Sequence, residues 1–310
     1  MPKVSVLIPV YNVEKYIRRC LASIQQQSLS DIEIVVVNDA TPDNSMAIVR
    51  ELAQSDSRIK ILEHEKNMGL MWTRKTGYKV ATGDYVTFCD SDDYLPLDAL
   101  ETLYVEAVKS GADVVAGNYT YITGSGVKIS AKNTLPYGNG PVAVYKAMLR
   151  REFRHNVWGK MFKTSLLQNY DYQTYEHFTN GEDGCLFYQV IQHVNRLVQI
   201  DKTVYYYVQN ENSSTQKRYN ESAIRNICMT NEMKVRSIIG HKELQEDLKQ
   251  NVTNILCNLY AKGYNHDGNL KKCIHESNLD FFLSWSNIVR YLDVRKFFKT
   301  YLMQILQTIR

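Results

Sequence analysis

The 310-residue chain contains no apolar run of the roughly 18 to 20 residues that would cross a bilayer, so a membrane-spanning helix is not expected. Its six cysteines, at 20, 89, 185, 228, 257 and 273, are never closer than sixteen positions, which excludes a CxxC zinc or redox site. The start, Met1-Pro2-Lys3 followed at once by Val-Ser-Val-Leu-Ile, lacks the layout of a secretory signal. Without export a disulfide framework is not expected; the thiols read as buried and free, and the expected location is the cytoplasm. There is no internal repeat and no low-complexity tract, and 44% hydrophobic with 23% charged residues excludes a disordered or fibrous chain. Phenylalanine is scarce, 9 against 22 tyrosines, and rings with a polar tip suit half-wet clefts as well as cores.

What is present is enough chain for one large domain or a main domain with an appendage. The net charge of +4 divides unevenly: residues 1–214 hold 22 basic and 24 acidic side chains, and 215–310 hold 15 and 9. The acidic part is the larger, which argues against nucleic acid as a partner.

The first ninety residues alternate β-branched apolar runs with helix-period segments, the pattern of βα units around a largely parallel sheet. Strands are expected at 4–9, 32–37, 59–63 and 85–89 and helices at 45–54, 70–80 and 98–109, with Asn12 capping a helix over 13–24. A strand at 113–121 leads into a Gly/Asn/Ser-rich stretch, 123–140, that reads as an exposed connection. Beyond it come strands at 157–162 and 197–208, a helix over 182–193, and a helical pattern from about residue 220 to the end.

Ligands of an open α/β sheet bind beyond the carboxyl ends of its strands, and what stands there is mostly acid. Strand one ends in Pro9-Val10-Tyr11-Asn12, strand two in Asn38-Asp39, strand three in His64-Glu65-Lys66-Asn67, and strand four in Asp90-Ser91-Asp92-Asp93. If that last segment stays extended, Asp90 and Asp92 project to one side, and a divalent cation relieves their repulsion. A turn that caps the following helix explains the same acids without chemistry.

Four motifs, 4–12, 34–39, 67–74 and 83–94, recur in order and together resemble the family 2 inverting glycosyltransferases, with looser similarity through Trp158-Gly159-Lys160 and Gly181-Glu182-Asp183 to about residue 215. The resemblance implies a GT-A (Rossmann-like) α/β fold, a mostly parallel sheet flanked by helices, in a catalytic domain 1–215 with a helical C-terminal extension, 216–310. It implies a nucleotide-sugar site formed by Pro9, Tyr11, Asn12, Glu14, Asp39, Asn67, Gly69, Arg74, Asp90 and Ser91. Tyr11 would stack on the base, Asp39 would accept from uracil, and Arg74 would approach the diphosphate. Glu14 is explained equally well by the helix dipole. The resemblance further implies Mn2+ or Mg2+ on Asp92 with Asp90, Asp183 as the base with Glu182 as its orienting partner, and an acceptor side bordered by Trp158 and Lys160. Trp158 reads as well as a core residue, and His177 as structural. Asn38 and Ala40 stand where the family commonly has Asp and Gly.

The implied reaction moves a hexose from a nucleotide sugar, a UDP-sugar by the Asp39 assignment, to a glycan or lipid-linked acceptor. Lys217 or Arg218 would reach the diphosphate on closure. Nucleotidyl transfer to a sugar phosphate is the competing enzyme class, and it normally begins with a Gly-rich phosphate loop that strand one lacks. Residues 281–310 read as an amphipathic helix with Arg290, Arg295, Lys296 and Lys299 among its apolar positions. It would lie on the inner face of the cell membrane, pack on the catalytic domain, or join a second subunit.

Overall fold

A computed structural model describes residues 2–136, 138–178, 180–210, 219–265, 268–294 and 297. In chain order the elements are β1 (Val4–Val10), α1 (Ile17–Gln25), β2 (Ile32–Asn38), α2 (Ser45–Ser55), β3 (Ile59–Glu63), α3 (Leu70–Val80), β4 (Tyr85–Phe88), α4 (Ala99–Ser110) and β5 (Val114–Ile122). Then follow β6 (Lys128–Ala131), α5 (Pro141–Leu149), β7 (Lys160–Lys163), α6 (Thr164–Gln168), α7 (Glu182–Ile191), β8 (Leu197–Val208), α8 (Glu221–Ile238), α9 (Gln245–Ala261), α10 (Asn269–Glu276) and α11 (Trp285–Tyr291).

The strands form one sheet in the order β3-β2-β1-β4-β7-β5-β6, with β8 paired to β5. β3, β2, β1 and β4 run parallel, β7 is antiparallel to both its neighbours, and β8 runs parallel to β5. Every residue of β1 and β2 is buried, because helices cover both sides. Ile17, Cys20, Leu21 and Ile24 of α1 pack with α2 and α4 on one face; α3 and α5 to α10 close the other. Each Leu, Ile or Val so buried contributes about 1.5–3 kcal/mol.

Several local expectations are corrected. The first helix starts at Ile17, not after Asn12: Asn12 sits at φ +56°, and its N–H donates to Thr41 Oγ1 at 2.7 Å, so the strand turns sharply before the helix begins. The stretch 123–140 contains β6, which pairs with β5 from Tyr119↔Ala131 to Ile122↔Lys128. The later strand runs Lys160–Lys163 rather than 157–162. The tail pattern is interrupted: a 3-10 turn at Asp280–Leu283 precedes α11, and Leu292 is extended. Lys217, Arg218 and most of 295–310 lie outside the described residues.

Among the described residues no helix is long and apolar enough to cross a membrane, and all six cysteines are free and buried. The helices after residue 220 share one apolar core with the region before them. Cys228 and Met233 of α8 and Leu248, Val252 and Leu256 of α9 belong to the same apolar cluster as Phe187 of α7 and Val144 of α5.

Candidate active site

β4 delivers its acids to the carboxyl edge of the sheet, but they do not stay extended. Asp93 N–H donates to the Asp90 carbonyl at 3.0 Å, so Asp90-Ser91-Asp92-Asp93 is a turn and its three carboxylates point to different partners. Asp93 accepts from Tyr205 Oη at 2.7 Å and from the Val208 N–H at 2.8 Å. Burial first, then Asp92 and Asp90, push its pKa well above the usual range, so it anchors β8. The Tyr205 hydroxyl in turn accepts from the Asp90 N–H at 3.1 Å. Trp158 stacks on Tyr205 and Tyr207, with ring centroids 4.6 and 5.4 Å apart, behind this turn. Asp92 accepts from Asn210 Nδ2 at 2.7 Å, and its carbonyl accepts from Arg19 Nη2 at 2.6 Å.

Arg74 joins what the sequence holds apart. Only 2% exposed on α3, its Nη2 donates to Asp90 Oδ1 at 2.8 Å and its Nη1 to Asp183 Oδ1 at 2.5 Å. These partners lie 16 and 109 positions away in the chain. Burial alone would weaken the guanidinium's hold on its proton, but Asp183, Asp90 and Glu182 outweigh it and the pKa rises. Asp90 is pushed up by burial, with Arg74 opposing. Glu182 is raised by burial and then by Asp183, and its Oε2 accepts from the Gly181 N–H at 2.9 Å. Gly181 is needed here: at φ +139°, a Cβ on it would stand 2.3 Å from Thr230 Oγ1 of α8, so α8 is pressed against the start of α7.

Asp39 has work of its own. Its Oδ1 accepts from the Met68 N–H at 2.8 Å and contacts His64 Nδ1 at 2.7 Å, while Oδ2 accepts from the Gly69 N–H at 2.8 Å. The acid after β2 therefore holds the β3–α3 loop, which includes Asn67, against the carboxyl edge. His64, which sequence reasoning passed over, is fixed by Thr76 Oγ1 at 2.8 Å. Gly69 is required by φ +88° and by the His177 backbone nitrogen, 2.8 Å from where a Cβ would sit. Tyr11 is half exposed at the rim and Pro9 is buried within β1. Glu14 accepts from the Asn44 N–H at 3.0 Å and its own N–H donates to Asp43, tying the first two βα loops together. Ser91 is buried.

The expectation that Lys160 borders the acceptor is corrected. It has no exposed surface: its Nζ donates to the Asn156 carbonyl at 2.6 Å between the rings of Phe153 and Phe187. Burial lowers its pKa to about 7, opposed by the charge of Asp183. Trp158, 9% exposed, is a wall of the aromatic cluster. Arg19, Tyr205 and Asn210 were missed, because nothing near them in sequence marks the acids they reach.

Among the described residues no three His, Cys, Asp or Glu side chains form a ready metal centre. One or two carboxylates are nevertheless what Mg2+ or Mn2+ takes when substrate phosphates complete its shell. Asp92 fits such an ion: its pKa is raised by burial first and by Asp90 second, and a cation beside it would offset both.

Residues 5–176 match the family model described as glycosyl transferase family 2. The chain is 36% identical over 214 residues to glycosyltransferase GlyA of Streptococcus pneumoniae, an alignment covering 66% of this chain and 30% of GlyA. It thus spans under a third of that relative. Residues 1–349 of S. aureus TarS in complex with UDP-GlcNAc have a similar fold at TM-score 0.61 and 20% identity, covering 90% of this chain and 91% of that one. The Pyrobaculum calidifontis mannosyltransferase PcManGT, in complex with GDP-Man and Mn2+, matches at TM-score 0.56 and 17% identity over 98% of this chain and 84% of its own.

Proposed function

This chain belongs to glycosyl transferase family 2, and we propose that it is a metal-dependent inverting hexosyltransferase using a UDP-sugar donor and a glycan or lipid-linked acceptor in cell-surface polysaccharide synthesis. The observation that carries this reading is Arg74, which places the donor-motif carboxylate Asp90 and the α7 carboxylate Asp183 on two nitrogens of one guanidinium. An inverting transfer needs a base for the acceptor proton close to the donor, and this bridge sets Asp183 beside the donor-motif acid.

In the proposed reaction the acceptor oxygen attacks the anomeric carbon as its proton passes to Asp183, and the bond to the β-phosphate oxygen breaks to release UDP. Arg74 holds Oδ1, so Oδ2 is the oxygen assigned to the proton. Glu182 keeps the start of α7 in place through Gly181. Asp92 with Asp90 would hold the Mn2+ or Mg2+, whose chemistry is Lewis-acid stabilisation of the departing diphosphate. Without it these carboxylates would repel a diphosphate, which supports metal dependence; that PcManGT is seen with Mn2+ agrees. For the nucleobase, Tyr11 offers a half-exposed ring with Asn12 and Glu14 beside it, Pro9 supports them from within buried β1, and Asp39 Oδ2 keeps a lone pair for the uracil N–H. Asn67 and Gly69 belong to the loop that Asp39 holds at this edge, and Ser91 is buried within the Asp90–Asp93 turn. UDP release from a panel of UDP-hexoses in Mn2+, abolished by Asp92→Ala, is the expected result; consumption of a nucleoside triphosphate with release of pyrophosphate would overturn the reading.

The same reading places the enzyme on the inner face of the cell membrane. α11 is tied to α9 by Asn254, which donates to the Tyr291 carbonyl and accepts from the Asp293 N–H, each at 2.8 Å. Phe281, Trp285 and Val289, four apart, remain 59%, 79% and 66% exposed. Arg290 beside them pairs with Glu246 at 3.1 Å, and the sequence continues with Arg295, Lys296 and Lys299, whose positive charge suits an anionic lipid surface. Co-sedimentation with phosphatidylglycerol vesicles, reduced by Trp285→Ala with Val289→Ala, checks this. Equal recovery of both proteins in the supernatant would refute it, and a dimer lost in the variant would assign the face to a second copy.

A further inference from the structure

A row of side chains leads from the Asp90–Asp93 turn to β6 and differs in charge from the acids beside it. Arg19 of α1, whose Nη2 donates to the Asp92 carbonyl at 2.6 Å, lies over the Tyr94 ring, 4.9 Å from its centroid. Tyr94 meets Tyr206 of β8 at 4.8 Å between centroids, and Lys128 of β6 lies over the Tyr206 ring at 5.4 Å. Arg19 and Lys128 are exposed and the two rings are half-buried, so the row is open to solvent. We propose that this row binds the phosphate of an acceptor, a diphosphate or a chain of phosphate diesters joined to the sugar or polyol that receives the hexose; the inference rests on the transferase reading above and names the class of acceptor.

The first argument is what the row can bond. Its four tips are a guanidinium, two phenols and an ammonium, and every one of them donates. Among the described residues neither cation forms an ion pair with a carboxylate, and neither phenol has a hydrogen-bond partner. The Asp92 carboxylate feels the charge of Arg19 but accepts from Asn210 Nδ2 at 2.7 Å instead. A row of donors with two uncompensated cations selects a ligand whose oxygens only accept and carry negative charge, as those of a phosphate do.

The second argument is that the row is pre-set. The Tyr206 N–H donates to the Tyr94 carbonyl at 3.0 Å and the Tyr94 N–H to the Tyr206 carbonyl at 3.4 Å, so the backbone fixes the two rings side by side. Each ring holds one long cationic side chain against its face, which lowers the rotamer entropy that binding would cost. Three successive steps of about 5 Å make the row longer than a single phosphate group. A diphosphate or consecutive phosphates of a chain would engage both ends.

Place is the third argument. The sheet order sets β4 between the β1, β2 and β3 side, whose loops carry Tyr11 and Asp39, and the side of β5, β6 and β8. The row begins in direct contact with the Asp92 carbonyl and continues to β8 and β6, away from β2 and β3. A ligand along it reaches the acids from the side opposite the proposed nucleobase, which is where an acceptor, not a second donor, belongs.

The test titrates three probes into the full chain: a soluble glycerol phosphate oligomer, a prenyl-diphosphate monosaccharide in neutral detergent micelles, and a neutral β-linked glucose oligomer. At least one phosphate probe is expected to bind, more weakly as salt rises and at least about tenfold more tightly than the neutral oligomer; which one binds tells a soluble from a lipid-linked source. Lys128→Glu should weaken that binding about tenfold and Lys128→Arg should keep it, while Tyr206→Phe, which retains the ring and loses one donor, should weaken it about threefold. UDP affinity in Mn2+ should be the same in all of these proteins. Binding of neither phosphate probe, equal binding of the neutral oligomer, phosphate binding untouched by Lys128→Glu, or a parallel loss of UDP affinity overturns the acceptor proposal alone. Failure of the wild type to release UDP from any UDP-hexose would instead strike the active-site reading, which the titration does not need.

Discussion

The bridge through Arg74 makes a prediction whose size follows from its surroundings. Arg74→Met leaves Asp90 and Asp183 without the cation they share. Removing one partner of a buried pair costs about 3–5 kcal/mol, and because these acids keep 21% and 19% of their side-chain surface the expected loss is about 2–4 kcal/mol. Asp183→Asn retains an acceptor oxygen and leaves the Asp90 contact intact, so it should cost about 1–2 kcal/mol. The double variant should then be less damaged than the sum, with a coupling of about 1–3 kcal/mol, since either change alone disrupts the same contact. Urea unfolding of all four proteins without divalent metal measures that term. In parallel, Asp183→Asn should lower kcat at least about a hundredfold as a lost general base, with little change in the donor KM. Stability effects that add to within about 0.5 kcal/mol would show that the two residues do not act as a unit. The argument for a shared donor and acceptor centre would then fall.

Three further outcomes are expected. Asp92→Asn should abolish the metal dependence of UDP release and of thermal protection by UDP, measured as a shift in Tm with Mn2+ titrated; an unchanged Mn2+ dependence would remove Asp92 from the metal site. Gly69→Ala forces a Cβ against the His177 backbone at φ +88°, costing about 1–3 kcal/mol and reducing donor turnover, which unfolding and kinetics on one preparation would read. Lys234 of α8 is buried and donates to Asn231 Oδ1 and Asn251 Oδ1 at 2.8 and 2.9 Å, and burial followed by the charge of Arg151 lowers its pKa to about 7. Its folded value lies below the unfolded one, so the unfolded chain binds the extra proton between pH 7 and 10.5 and wild-type stability rises with pH across that window. Relative to Lys234→Met, the wild type should gain about 1–3 kcal/mol from pH 7 to 9, and a pH-independent difference would refute this.

Much of the architecture was legible because it is local. β-branched runs at 32–37 and 59–63 and the helical period over 70–80 each register within a few residues, and the structure keeps them almost unchanged. Where the local signal was thin the reading slipped. Asn12 looks like a cap, yet its backbone is turned by Thr41 from the next loop, and β6 forms in a Gly-rich stretch because β5 offers it a partner.

By itself, then, the sequence determined that a parallel sheet would gather acids at the ends of its strands, since strand period, apolar runs and the residues that follow them are all written within short windows. Tertiary structure alone decided which acids meet. Asp93 serves β8, Asp39 holds a loop, Lys160 is sealed in the core, and Arg74 joins Asp90 to Asp183. The physical reason is that a buried charge is tolerable only beside partners that satisfy it, and those partners arrive from distant strands and helices whose meeting no local period records.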